Sequence, residues 1–120
     1  MAEHNEFGKK GEETAVNYLL SKGYSIVKQN YRWRSAEVDI IAEKAGLLSF
    51  VEVKTRSSAY FGEPELFVSK QKQKSYIQAA NAFVIENNRQ EEVQFDIIAI
   101  VMNKGSIKIN HIESAFSILG

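Results

Sequence analysis

The chain carries, in its first half, Glu37-Val-Asp-Ile-Ile-Ala-Glu-Lys-Ala-Gly-Leu-Leu-Ser-Phe-Val-Glu-Val-Lys-Thr-Arg56. Two apolar runs, Val38–Ala42 and Leu47–Val53, flank a short break at Ala45-Gly46, which reads as a β-hairpin. Glu37, Asp39, Glu52 and Lys54 interrupt the runs, and charges are rarely buried unless paired or bound to something. Side chains alternate along a strand, so Glu37 and Asp39 share a face, as do Glu52 and Lys54. With Ala45-Gly46 as a two-residue turn, Lys44 pairs with Leu47. Asp39 then falls opposite Glu52, and Glu37 opposite Lys54. A four-residue loop keeps this register and a three-residue loop breaks it. Opposed carboxylates repel, and a cation between them reverses the sign. The hairpin therefore suggests a carboxylate metal site with a lysine beside it.

The chain has 120 residues, 44% of them apolar and 25% charged, which fits one soluble domain over 1–120 with a modest core. The absence of cysteine excludes disulfides, thiol nucleophiles and thiolate zinc sites, and fits a reducing compartment. No apolar run reaches the ~18 residues of a membrane helix, and the first residues do not read as a signal peptide. The expectation is a cytoplasmic protein with no membrane partner. Net charge is zero, which speaks against non-specific nucleic-acid binding. The distribution softens that: residues 1–74 carry 12 Lys/Arg against 10 Asp/Glu, and residues 75–120 carry 3 against 5.

Outward from the hairpin, residues 5–22 read as an amphipathic helix with Ala15, Val16, Leu19 and Leu20 on its apolar side and Lys22-Gly23 as its stop. Glu12 lies on or beside that stripe, with Gly8 and Gly11 one turn back, where a neighbouring backbone or ligand can approach. Tyr24–Trp33 reads as a strand. Ser57–Pro64 reads as a loop carrying Tyr60 and Phe61. A second helix starts at Ser69 as N-cap and runs to Asn87, with Tyr76, Ile77, Ala80, Phe83 and Val84 as its apolar stripe. Lys70, Lys72 and Lys74 crowd its positive end, an unfavourable place that hints at a use. Val93–Met102 and Ser106–Ile112 are strands around a turn at Asn103-Lys104-Gly105, and Ala115–Leu119 is a short tail, read as one helical turn. The order α-β-β-β-α-β-β predicts an α/β fold with a mixed five-stranded sheet flanked by helices.

Asp39, then Glu52-Val-Lys54, preceded by a helix with an inward Glu12, resembles the PD-(D/E)xK nuclease superfamily. Val38 stands where a proline is usual. The wider pattern is more specific: Gly8-x-x-Gly11-Glu12-x-x-Ala15, Leu19 and Gly23-Tyr24; Glu37-Val-Asp39-Ile-Ile; Phe50-Val-Glu-Val-Lys-Thr-Arg56; Phe61-Gly62-x-Pro64; Lys72-Gln73 with Ala79-Ala80; and Phe95-Asp96. Together these look like the YraN-like family of uncharacterised bacterial proteins, similar to archaeal Holliday junction resolvases. Ser35-Ala36 stands where that family usually has a glycine before Glu37.

The resemblance implies a restriction-endonuclease-like fold and a nuclease that hydrolyses phosphodiester bonds, with branched DNA among its substrates. Hard oxygen ligands suit Mg²⁺ or Mn²⁺. On this model Asp39, Glu52 and the Val53 carbonyl hold the ion. Lys54 orients or activates water, Glu12 reaches in through water or to a second ion, and Arg34, Arg56 and Lys72 contact phosphate. The related resolvases are dimers, which makes a homodimer a candidate assembly. Two other readings stay open: a non-catalytic nucleic-acid-binding module, and a protein-interaction module on the same scaffold. Simpler roles compete for single residues. Glu37–Lys54 reads equally as an ordinary cross-strand ion pair. Asp96 reads as structural, and His111 as a surface or local hydrogen-bonding residue.

Overall fold

The computed structural model describes residues 2–57 and 68–117, with side chains from residue 6 onward. Tyr60, Phe61, Gly62 and Pro64 lie outside the described residues. The elements are α1 (Ala2–Ser21), β1 (Ser25–Trp33), β2 (Ala36–Lys44), β3 (Leu47–Arg56), α2 (Lys70–Glu86), β4 (Glu92–Asn103) and β5 (Ser106–Phe116). The strands form one sheet in the order β1-β2-β3-β4-β5. Every neighbouring pair is antiparallel except β3 and β4, which are parallel. Parallel neighbours need a crossover, and α2 lies within the connection that makes it. The expected α/β class, mixed five-stranded sheet and element order are all present.

Local chemistry places the ends. Ala45 (φ 52°) and Gly46 (φ 80°) both adopt the left-handed backbone that a two-residue hairpin turn demands, so Lys44 pairs with Leu47 as expected. Ser69 caps α2, its side chain accepting from the Lys72 backbone N–H at 3.1 Å. α1 ends where the Tyr24 N–H returns to the Leu19 carbonyl and the Gly23 N–H to that of Leu20, the bonding of a Schellman motif.

The sheet is covered on both sides. Tyr76, Ala79, Ala80 and Phe83 of α2 pack with Tyr31, Val38, Ile41, Leu48, Phe50, Phe95 and Ile97. Ala15 and Leu19 of α1 pack with Ile40, Ala42, Val51, Ile98 and Ile100 on the other side. Leu20, expected on the apolar side of α1, is 52% exposed; the helix touches the sheet along a stripe too narrow to include it. The tail reading is corrected: Ala115 and Phe116 belong to β5, and Phe116 stacks on Phe95 with ring centroids 5.1 Å apart. Burying that ring against a strand outweighs any helical preference of a five-residue tail.

One irregularity matters for the site. Val38 belongs to the α2 side and Ile40 to the α1 side, although residues two apart in a regular strand share a face. The face changes at Asp39. Opposite, Asn30 of β1 has φ 53°, and no Asn30–Asp39 pair occurs between the Gln29↔Ile40 and Tyr31↔Val38 pairs. On the other flank, registered pairing of β2 with β3 ends at Ile40↔Val51. Asp39 therefore sits where the sheet opens.

Candidate functional site

The opening is an acidic cleft of about 460 Å³ lined by Phe7, Gly8, Glu12, Ser35, Glu37, Asp39, Glu52, Val53, Thr55 and Lys72. Each element contributes for a physical reason. Freed from the ladder, the Asp39 carboxylate bridges to β3 and accepts the Val53 backbone N–H at 2.8 Å. Glu52 is one of three buried polar or charged residues among those described, at 4% exposure. Its Oε1 accepts from the Tyr76 hydroxyl at 2.5 Å, and its Oε2 faces the Lys72 ammonium at 2.5 Å and that of Lys54 at 3.7 Å. Glu12 is half-buried on α1. Gly11 lets that helix lie against β3: a Cβ there would overlap the Thr55 side chain.

Burial, and then neighbouring carboxylates, raise two of the carboxyls, Asp39 and Glu12. Burial, then the neighbouring Glu52, push Asp39 up to about 7, against the opposing Val53 N–H. Glu12 is also raised, by burial first and then by Glu37 and Glu52, while the Asn30 side chain opposes the shift. Lys54 is lowered, chiefly by burial, with Glu52 resisting and Lys72 and Arg56 adding to the fall. Burial and Glu52 raise Tyr76 well above the usual phenol range, so it stays a donor. Divergent shifts within one cleft are a frequent mark of a functional site.

The structure gathers Glu12, Asp39, Glu52, Val53 and Lys72 into the cleft lining, with Lys54 in contact through Glu52. Arg34 and Arg56 lie outside that lining. Arg34 occupies the β1–β2 turn with its guanidinium 4.6 Å from the centre of the Trp33 ring, and Arg56 Nη1 donates to the Thr55 carbonyl. The expected Glu37–Lys54 pair does not form. Glu37 instead faces Arg32 on β1 at 3.6 Å, because the regular β2–β3 ladder that would oppose it to Lys54 has already ended. Lys54 turns to Glu52 on its own strand.

Tyr76 escaped the sequence reading. Helical spacing put it on the apolar stripe, where it is indeed buried (1% exposed). The available signals were its hydroxyl, which needs a partner when buried, and its place one turn after Lys72 on the same helix face. A second polar cluster lies elsewhere, in the contacts of Asp96. Buried Asp96 accepts the Ser114 N–H at 3.1 Å and meets His111 Nε2 at 2.8 Å, while His111 Nδ1 meets the Tyr18 hydroxyl at 3.2 Å. This ties β4, β5 and α1 together and agrees with a structural Asp96.

The donor set can be tested against a divalent ion. Among the described residues no group of three or more His, Cys, Asp or Glu side chains is disposed to hold a metal. A Mg²⁺ site commonly uses only one or two carboxylates and keeps its waters. Asp39 and Glu52 meet that requirement with hard oxygens. The Lys72 ammonium against Glu52 shows that the cleft already accepts a cation at this oxygen. The donor chemistry is compatible with such an ion, which Asp39 and Glu52 would hold directly, with the Val53 carbonyl as a further oxygen and Glu12 as an outer carboxylate.

A family model and three relatives place the chain. A family model described as "Uncharacterised protein family UPF0102" matches residues 11–100. A UPF0102 protein of Christiangramia forsetii is 53% identical over 116 residues, covering 97% of this chain and 98% of the relative. Similar proteins from Flavobacterium psychrophilum and Phocaeicola vulgatus are 48% and 46% identical, each again over 97% of this chain and covering 98% and 96% of their own lengths. Across the described residues, no helix is long and apolar enough to cross a membrane.

Proposed function

This chain belongs to the uncharacterised protein family UPF0102, the YraN family, and within it we propose a Mg²⁺- or Mn²⁺-dependent nuclease that hydrolyses phosphodiester bonds, with branched DNA as the first substrate class to test. One observation carries the reading: Asp39 and Glu52 are brought together in an open cleft at a cost, with burial and mutual repulsion raising Asp39 to about 7. A fold gains nothing from such a pair, whereas a bound cation offsets it.

When bound, the cation neutralises phosphate charge and makes water a better nucleophile. The chain supplies the rest. Tyr76 fixes Glu52 through Oε1, so its carboxylate presents a constant geometry to the cleft. The Val53 N–H fixes Asp39 in the same way. Lys54, mostly shielded and beside Glu52, is suited to orient the attacking water and to support the charge developing on phosphorus. Glu12 reaches the reaction through water. Arg34, Arg56 and Lys72 contact flanking phosphates, which position nucleic acid without reading its sequence. A homodimer would offer one such cleft to each strand of a duplex.

The test is a cleavage panel of branched, flapped, single- and double-stranded DNA and of RNA with Mn²⁺. Native protein is expected to cut at least one member, and Asp39→Ala and Lys54→Ala to cut none while retaining their fold. Undiminished cleavage by Asp39→Ala would remove the mechanism. A second reading, a non-catalytic nucleic-acid-binding module, draws on the fact that both Glu52 oxygens already have protein partners. Binding without cleavage across the whole panel would select it.

A further inference from the structure

Lys72 is doubly unusual. It lies in the first turn of α2, which holds Lys70 and Lys72 and no acidic residue, with Lys74 just beyond, where the helix dipole disfavours positive charge. Yet its ammonium sits 2.5 Å from Glu52 Oε2, the oxygen left after Tyr76 takes Oε1. The two partners differ in exposure: the Lys72 side chain is 43% exposed and that of Glu52 is 6%. Glu52 is therefore held by the core, while Lys72 reaches it from the open side on a flexible stem and can leave without unpacking anything. Its backbone is pinned by the Ser69 cap, so only the side chain needs to move. A destination exists: Lys72 also lines a neighbouring cavity of about 300 Å³ with Ser35, Glu37, Ser69, Gln71 and Ser75.

We propose that Lys72 is a built-in counter-ion that occupies Glu52 in the metal-free protein, yields that oxygen to a divalent cation, and is thereby released to meet a substrate phosphate. This rests on the metal reading of the cleft. It gives Lys72 two successive partners where the resemblance implies one. Because cation and ammonium compete for the same oxygen, Lys72 lowers metal affinity when no nucleic acid is present. The phosphate contact becomes available only after the cation is in place, so metal loading and substrate engagement favour one another.

The experiment is calorimetric titration of Mn²⁺ into the full-length protein without nucleic acid. Lys72→Met keeps the alkyl stem and removes the charge. It is expected to bind Mn²⁺ about tenfold more tightly than the native protein. Lys70→Met removes an equal charge from the same helical turn and is expected to stay within about twofold, since an exposed charge acts only through screened solvent. Binding by Lys72→Met alone, with native protein silent, also supports the exchange. Equal or weaker binding by Lys72→Met than by a Mn²⁺-binding native protein overturns it and leaves the metal reading standing. Equal tightening by Lys70→Met overturns it too, by reducing the effect to net charge. Asp39→Asn separates the two ideas: unchanged Mn²⁺ uptake there, or no uptake by any variant, removes the metal reading and the exchange with it.

Discussion

The Tyr76 hydroxyl donates to Glu52 Oε1 at 2.5 Å, joining the most buried polar group of α2 to the buried acid of β3. This bond crosses the interface between the second helix and the sheet, so the packing of the core and the aim of Glu52 are one arrangement. Tyr76→Phe removes only the hydroxyl. It leaves a buried carboxylate oxygen without its donor, and a cost of about 1–3 kcal/mol in urea denaturation is expected. Mn²⁺ affinity should fall in the same variant because Glu52 loses its fixed rotamer. Loss of stability with unaltered metal binding would show that Tyr76 serves the core alone.

Asp39 makes stability depend on pH in a direction opposite to that of most surface acids. Its carboxyl is raised from 3.8 to about 7 in the folded state, so the folded protein holds the proton more tightly than the unfolded chain. The contribution is therefore fully present below about 4 and is lost as pH rises through about 7. Asp39→Asn removes the titration. Relative to native protein it should be more stable by on the order of 2–4 kcal/mol at pH 8 in EDTA, and by much less at pH 4. Saturating Mg²⁺ at pH 8 should narrow the gap by stabilising only the native protein. Urea midpoints at the two pH values measure it.

Asp96 and His111 form a buried pair at 0% and 7% side-chain exposure. His111→Ala leaves Asp96 Oδ2 without its partner, while Oδ1 keeps the Ser114 N–H, and opens a void. A loss of about 1–3 kcal/mol is expected, seen as a lowered urea midpoint. Asp96→Asn with His111→Ala should depart from the sum of the single changes, because the two side chains share one hydrogen bond. The acidic cleft draws nothing from this pair, so the double variant should bind Mn²⁺ as native protein does.

Gly11 is the contact that lets α1 deliver Glu12. Gly11→Ala drives a methyl into the Thr55 side chain and should cost about 1–3 kcal/mol by overpacking. Thr55→Ala removes the nearest atom and should recover part of that loss. Full tolerance of Gly11→Ala in thermal denaturation would mean that α1 is not held against β3 at this point.

Much of this protein was legible in one dimension because its signals are local. Ser69 caps a helix through its own side chain and the N–H three residues on. Ala45-Gly46 reads as a tight turn whose register follows by counting. Apolar spacing of 2 or 3.6 residues reports which side is buried without reference to the partner. The candidate acids followed from the same counting, since Asp39 and Glu52 stand one step beyond the last registered pair of the hairpin.

What counting missed depends on which strands and helices pack together. The elements, their order and the hairpin register are readable along the chain, because those rest on backbone sterics and side-chain periodicity within a few residues. It took the packed fold to set Glu37 against Arg32 rather than Lys54, to change the face of β2 at Asp39 opposite Asn30, and to share Glu52 among Tyr76, Lys72 and Lys54. A charged side chain buried at a sheet opening takes whichever partners the surrounding strands and helices bring within reach. For Glu52 that choice is made largely by a helix whose Lys72 and Tyr76 lie 20 and 24 residues further along the chain.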